Sequence, residues 1–159
     1  MNMIFRILPW KRGLIISLVT LVLVNIFSFY GLYTNKFYLF KFDNYLLPVL
    51  TIVHFIFLYV LWFKIKENEI ADPQMRNLEY ALYAILLVYF YKLFDSFFIL
   101  LSSGQFEEHV IPATFMPIGV FILFLYLLLV VLTFMAFQYR KLLVGSYNFD
   151  DMNHIDTWD

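Results

Sequence analysis

The chain has no cysteine, which removes disulfide frameworks, thiolate metal sites, iron–sulfur clusters and thiol-based redox chemistry. Charge is scarce as well. Only 14% of the residues are charged, the formal net charge is -1, and no basic stripe interleaves with aromatics outside the apolar runs, so no nucleic-acid partner is expected. Glycine and proline number five each, too few and too scattered for the broken helices of many secondary transporters. No arginine falls inside an apolar run, which argues against a buried site that grips a lipid phosphate by bidentate contacts. HExxH, Walker A, GxGxxG and GxSxG-like patterns do not occur, so no catalytic residue, cofactor or metal ligand set is expected and the chain reads as a non-enzyme. A membrane-embedded enzyme acting on a lipid stays open as a third class. It would need a wet cavity opening to one surface.

What the chain has is apolar surface. Hydrophobic residues make up 63% of it, aromatics 22%, and the mean hydropathy is +0.78, more than a soluble domain of 159 residues can bury. The composition predicts an all-α polytopic membrane protein. Apolar runs counted against the roughly 20 residues needed to cross a bilayer give four spans: Leu14 to Thr34, Tyr45 to Phe63, about Tyr80 to Ser103, and Ile118 to Gln138. The third helix is expected to begin earlier, because Asp72 is a good N-cap and Pro73 a good first residue. The first run is too long for a signal peptide and lacks a small-residue cleavage site, so it is read as a retained span. Residues 1–142 thus form a four-helix transmembrane domain, followed by an acidic tail at 143–159.

Lysine and arginine set the orientation. Arg6, Lys11, Arg12, Lys64, Lys66, Arg76, Arg140 and Lys141 fall on one side, and only Lys36 and Lys41 on the other, so both termini are expected in the cytoplasm. Trp10, Trp62, Tyr33, Tyr45, Tyr80 and Tyr139 stand where interfacial anchors would. The richness in Phe, Ile, Leu, Tyr and Asn fits an AT-rich bacterial coding sequence, and the bacterial inner membrane is the location adopted.

Against this background, two charges in YFYKLFDSFF, Lys92 and Asp95, stand out. On a helical wheel Lys92, Asp95, Ser96, Ile99, Ser102 and Ser103 fall within about 120° of one another, with Ala81 and Ala84. Tyr83, Leu86, Leu87, Phe90, Phe94, Phe97 and Leu101 collect opposite. Small and hydroxylated faces are where helices meet in lipid, so the polar face is expected to point into the bundle. Asn25, His54, Lys92 and Asp95 lie at about 12 to 16 Å from the outer span ends, and with Ser96 they form an expected intramembrane polar network. An unpaired ion near the bilayer centre costs from about 3 to more than 10 kcal/mol, so Lys92 and Asp95, at i and i+3, are expected to neutralise each other.

Two readings follow. In one, the buried pair organises helix packing or docks a partner helix, and the chain is an accessory subunit of a larger membrane complex. In the other, Asp95 and His54 are protonatable groups of a stand-alone transporter or channel, with Lys92 as the internal counter-ion. His54, the only histidine in a span, lacks a second ligand for haem within the chain. Glu107, Glu108 and His109 read as a solvated loop. The tail residues Asp150, Asp151, Asp156 and Trp158 suit a segment that docks on a cytoplasmic partner, against a disordered alternative. Membrane lipids and other membrane subunits are the remaining expected partners.

Overall fold

The computed structural model describes residues 3–105 and 112–147. The Glu107–Glu108–His109 cluster and the tail residues Asp150, Asp151, Asp156 and Trp158 lie outside these. Five helices carry the fold: α1 (Met3–Ile7), α2 (Trp10–Phe27), α3 (Leu46–Lys66), α4 (Pro73–Ser102) and α5 (Phe115–Tyr139). Four segments, from Trp10, Phe42, Pro73 and Phe115 onward, are long and apolar enough to cross a membrane. Each of α2 to α5 packs on its two neighbours in a ring, α5 most extensively on α4 and α2, with α3 between α2 and α4. Asn25 near the end of α2 meets Thr51 near the start of α3, Lys64 near the end of α3 meets Asp72 at the start of α4, and successive helices therefore run antiparallel. One end therefore holds α1, the α3–α4 turn and the end of α5. The other holds the long α2–α3 connection.

That connection corrects the first expected span. The helix ends at Phe27, and Tyr30–Gly31 pairs antiparallel with Lys36–Phe37 as β1 and β2, Tyr30 opposite Phe37. The cause is local. Asn35 takes a left-handed φ of 53°, which asparagine tolerates better than most residues. Its amide donates to the Gly31 carbonyl at 2.9 Å, and the Tyr30 hydroxyl donates to its side chain at 2.5 Å. A Cβ at Gly31 would lie 2.6 Å from the Tyr38 ring, so a larger residue there would have to displace that ring. Polar turn chemistry thus outweighs the apolar content of NIFSFYGLYT.

The core is built where the ring closes. Leu21, Phe57, Leu61, Leu82, Tyr89 and Leu129 are fully buried, while Val19, Val22, Ile52, Leu87, Phe94, Phe98 and Phe124 face outward as an apolar girdle. Hydroxyls on buried faces are satisfied inside their own helices, as a spanning helix requires. Ser17 donates to the Gly13 carbonyl at 2.7 Å, Thr20 to Ile16 at 2.8 Å, and Thr133 to Leu129 at 2.7 Å. The early start of α4 is as expected: the Asp72 side chain accepts from the Met75 amide at 2.8 Å, and Pro73 opens the helix. Tyr139 is not an interfacial anchor. It is buried, donates to the Leu8 carbonyl at 2.7 Å, and lies flat over Gly13.

A Cβ at Gly13 would stand 2.6 Å from the Tyr139 oxygen and 2.7 Å from its ring, and neither can retreat without breaking the bond to Leu8. Gly13→Ala is expected to destabilise the bundle by about 1–3 kcal/mol, read as a lower midpoint of thermal unfolding in detergent. Gly104→Ala, with open space around it, is expected to leave the midpoint unchanged.

Asp72 also holds Lys64, 2.9 Å from its Oδ2, and Lys64 reaches Glu69 at 3.2 Å. Burial alone would raise the Asp72 carboxyl, but the Met75 amide and then the Lys64 ammonium outweigh it and hold the group below its ordinary value. A lowered folded value means stability that is full above the ordinary carboxylate range and lost as pH falls through the lowered one. Asp72→Ala is expected to cost about 1 kcal/mol at neutral pH. The gap to the parent chain should close on acidification below about pH 4.

Candidate functional site: a polar vestibule at the hairpin end

Where α3 begins and α4 approaches its end, the ring opens around a cavity of about 310 Å³. Lys92, Asp95 and Ser96 line it from α4, Tyr126 from α5, and Lys41 and Asp43 from the connection before α3. The rim is tied in place by backbone-directed bonds: Ser28 to the carbonyls of Asn25 at 2.6 Å and Asn44 at 3.3 Å, Asn44 to the Tyr38 carbonyl at 3.1 Å, and Tyr45 to that of Leu39 at 2.6 Å. Two cations and two carboxylates thus meet in one pocket. Asp95 sits seven residues before the end of α4, about 10 Å along the helix.

The expected buried Lys92–Asp95 pair is not formed. Asp95 is exposed, Lys92 is half-buried, and neither has an ion partner within 4.0 Å among the described residues. Helical side chains lean toward the N-terminus, so the long lysine, coming first, carries its ammonium away from the aspartate. The acid-first order is the favourable one.

Nor do Asn25, His54, Lys92, Asp95 and Ser96 join into one network. Asn25 pairs with Thr51, its Nδ2 donating to the threonine oxygen at 3.1 Å and its Oδ1 lying 3.2 Å from the same hydroxyl. His54 is fully buried, with Nδ1 2.9 Å from the Tyr89 hydroxyl and Nε2 lacking a hydrogen-bond partner among the described residues. Lys92, Asp95 and Ser96 are brought together only as vestibule walls. Toward the other end Phe57, Leu61, Leu82 and Leu129 are fully buried, and the buried hydroxyls among them, Ser17 and Thr133, are bonded to carbonyls of their own helices. The polar groups of the hairpin half are thereby separated from those of the far end.

The far end holds the cluster that the sequence reading missed. Glu79 is fully buried on α4 and receives Arg140 from the end of α5, with Arg140 Nη2 3.0 Å from its Oε1 and Nε 2.9 Å from its Oε2. The Nε contact is a close charge contact with poor hydrogen-bond alignment. Tyr83 donates to Oε1 at 2.8 Å, and Tyr147 donates to Oε2. Arg140 also donates to the Gly145 carbonyl at 3.1 Å, and its guanidinium stacks 4.2 Å from the Tyr147 ring centre. Burial, then the Glu79 carboxylate, push the Tyr147 phenol above the ordinary tyrosine range. The chain reaches this geometry through a π-helical turn, Arg140–Val144, ended by Gly145 at φ 106°. The signal was present: Met75, Glu79, Leu82, Leu86 and Tyr89 recur at spacings of three and four, so Glu79 occupies a core position.

The same series corrects the face of α4. Ala81 and Ala84, expected inside, are exposed, and Leu86, expected outside, is buried. No group of three or more His, Cys, Asp or Glu among the described residues is arranged to hold a metal ion. No protein-family model, curated protein or solved structure matches the chain. Its chemistry must therefore be argued from the side chains alone: a closed ion cluster at one end, an open set of four charges at the other.

Removing one partner of a buried ion pair leaves the other uncompensated, at a cost of about 3–5 kcal/mol. Glu79→Ala and Arg140→Ala are each expected to lower unfolding stability by that order. Glu79→Leu with Arg140→Leu should recover much of it, giving a strongly non-additive double-mutant cycle.

Proposed function

We propose that the protein is a small multi-pass accessory subunit of a larger membrane complex and that it docks a partner through the hairpin-end vestibule. The observation that carries this reading is the state of Lys92 and Asp95: opposite charges on one helix face, at membrane depth, each without an ion partner among the described residues. Charges at such depth are rare and normally matched. A polar or ionic segment of a neighbouring subunit entering the vestibule would match both. In this reading the protein sits in the bacterial inner membrane with both termini in the cytoplasm, supported by the bias of lysine and arginine toward the end that carries α1 and the α3–α4 turn. The apolar girdle of Leu87, Phe94 and Phe98 beside Asp95 supplies the surface against which partner helices would pack.

A transporter or channel is the rival reading, favoured by the vestibule itself. Its weakness is the stretch of Phe57, Leu82 and Leu129 between His54 and Glu79, where the buried hydroxyls of Ser17 and Thr133 are already bonded within their own helices.

The deciding experiment is purification of the tagged chain from its native membrane in a mild detergent, with the mass of the particle determined and its components identified. The expected result is a stoichiometric complex whose partner is lost, by about tenfold or more, from Asp95→Asn and Lys92→Gln variants that retain the parent chain's thermal midpoint. Tenfold corresponds to about 1.4 kcal/mol, well within what an interfacial charge pair supplies. A homogeneous monomer or homo-oligomer would overturn the subunit reading. A pH-dependent flux in proteoliposomes abolished by Asp95→Asn would establish its rival.

A further inference from the structure

At the end opposite the vestibule, α2 and α3 diverge and leave a groove of about 400 Å³. Its floor is apolar: Leu14 and Leu18 from α2, Phe55 and Leu58 from α3. Its mouth is formed by Lys11 and Trp62. The Lys66 ammonium lies 4.8 Å over the Trp62 ring, which brings a second cation to the same mouth. Both lysines are exposed, and neither has a carboxylate partner among the described residues. No acidic residue among the described residues lines the groove.

We infer that this groove binds one anionic glycerophospholipid, with an acyl chain along Leu14, Leu18, Phe55 and Leu58 and the phosphate between Lys11 and Lys66. The length fits: from Lys11 to Leu18 the groove runs about 10 Å along α2, against about 15 Å for one leaflet of a typical hydrocarbon core. The order of groups fits too, since cations and an indole at the mouth of an apolar slot reproduce the head-to-tail polarity of a lipid. Charge selects the head group. Among the described residues, 3–12, 64–79 and 139–147 bring eight lysines and arginines to this end against four carboxylates, and the four aspartates of the tail lie outside them. Three of those carboxylates, Glu69, Asp72 and Glu79, are taken by Lys64 and Arg140. A zwitterionic head group would place its ammonium beside two lysines with no acid in the groove to receive it. An anionic head group has only favourable neighbours. This site is independent of the vestibule and of any partner docked there.

The test is native mass spectrometry of the full chain released from micelles containing equal amounts of phosphatidylglycerol and phosphatidylcholine of the same acyl composition. One retained phosphatidylglycerol is expected. Preference over phosphatidylcholine should fall by about tenfold in Lys11→Gln with Lys66→Gln, since each lysine near a lipid surface contributes about 1 kcal/mol. Leu18→Trp, which fills the groove and leaves both lysines in place, should also abolish retention. Equal retention of the two lipids, or a preference unchanged by the lysine variant, would overturn the inference. So would loss in the lysine variant with full retention in Leu18→Trp, which would mean attraction to a charged surface without a groove. Both lysines are exposed and form no ion pair among the described residues, their only ring contacts being with Trp10 and Trp62, so their variants are expected to keep the parent thermal midpoint, measured alongside.

Discussion

A carboxylate sealed between helices needs a cation held as firmly as itself, and much of this bundle is arranged around meeting that need for Glu79. Its counter-ion lies 61 residues away in sequence, at the point where α5 ends, so the pair fixes the rotation of α4 and the height of α5 together. The π-helical turn at Arg140–Val144 belongs to the same constraint. A wider turn, closed by a bond from the Gly145 amide to the Arg140 carbonyl at 3.0 Å, folds the chain back so that Gly145 accepts from the guanidinium and Tyr147 covers it. Gly145 can do this because its φ of 106° is open to glycine and strained for other residues. Three hydrogen bonds, from Tyr83, Tyr147 and Arg140 Nη2, and the close charge contact of Arg140 Nε thereby converge on one carboxylate. A buried ion needs that completeness to offset its lost hydration.

The consequence for the distant vestibule is geometric. At about 100° per residue, Asp95, sixteen positions beyond Glu79, points about 160° away from it on a straight helix. If Glu79 faces the core, Asp95 must face out. Lys92 lies about 60° from Asp95 on the side of buried Ile85, which accords with its being half-buried while Asp95 is exposed. The two polar features of α4 therefore compete for the interior, and the one with an arginine, two tyrosines and a buried position holds it. The unmatched charges at the hairpin end follow from the matched one at the other.

This competition also separates what could be read in the residues from what could not. The four apolar segments are legible because a helix that must satisfy its own backbone in lipid needs a minimum apolar length, and length is visible in one dimension. The start of α4 is legible because Asp72 and Pro73 act within a single turn. The hairpin at Tyr30 to Phe37 was overlooked because aromatics dominate its hydropathy, while its cause is one asparagine and one glycine placed four residues apart. The polar network was misdrawn because depth and wheel position treat each helix alone. Whether Asn25 meets Thr51 or Asp95 is decided by how neighbouring helices are rotated, and Glu79, which sets that rotation for α4, lies before the apolar run that starts at Tyr80. Tyr139 was taken for an interfacial anchor for the same reason: its partner, Gly13, lies on a different helix.

The two ends of the molecule thus differ in kind. At the end that carries α1 and the α3–α4 turn, Lys64 is matched by Glu69 and Asp72, Arg140 by Glu79, and Tyr139 by Leu8, so the helix ends are locked by contacts internal to the chain. At the hairpin end the ties of Ser28, Asn44 and Tyr45 go to backbone carbonyls, and the charged side chains they surround are left without ion partners. The buried ions are matched at one end, where the surface lysines Lys11 and Lys66 stay without a carboxylate among the described residues, whereas at the other end charges of both signs are left open in one pocket. The helices between, with Phe57, Leu82 and Leu129 filling the centre, connect the two mechanically, and the buried hydroxyls there, Ser17 and Thr133, are bonded within their own helices.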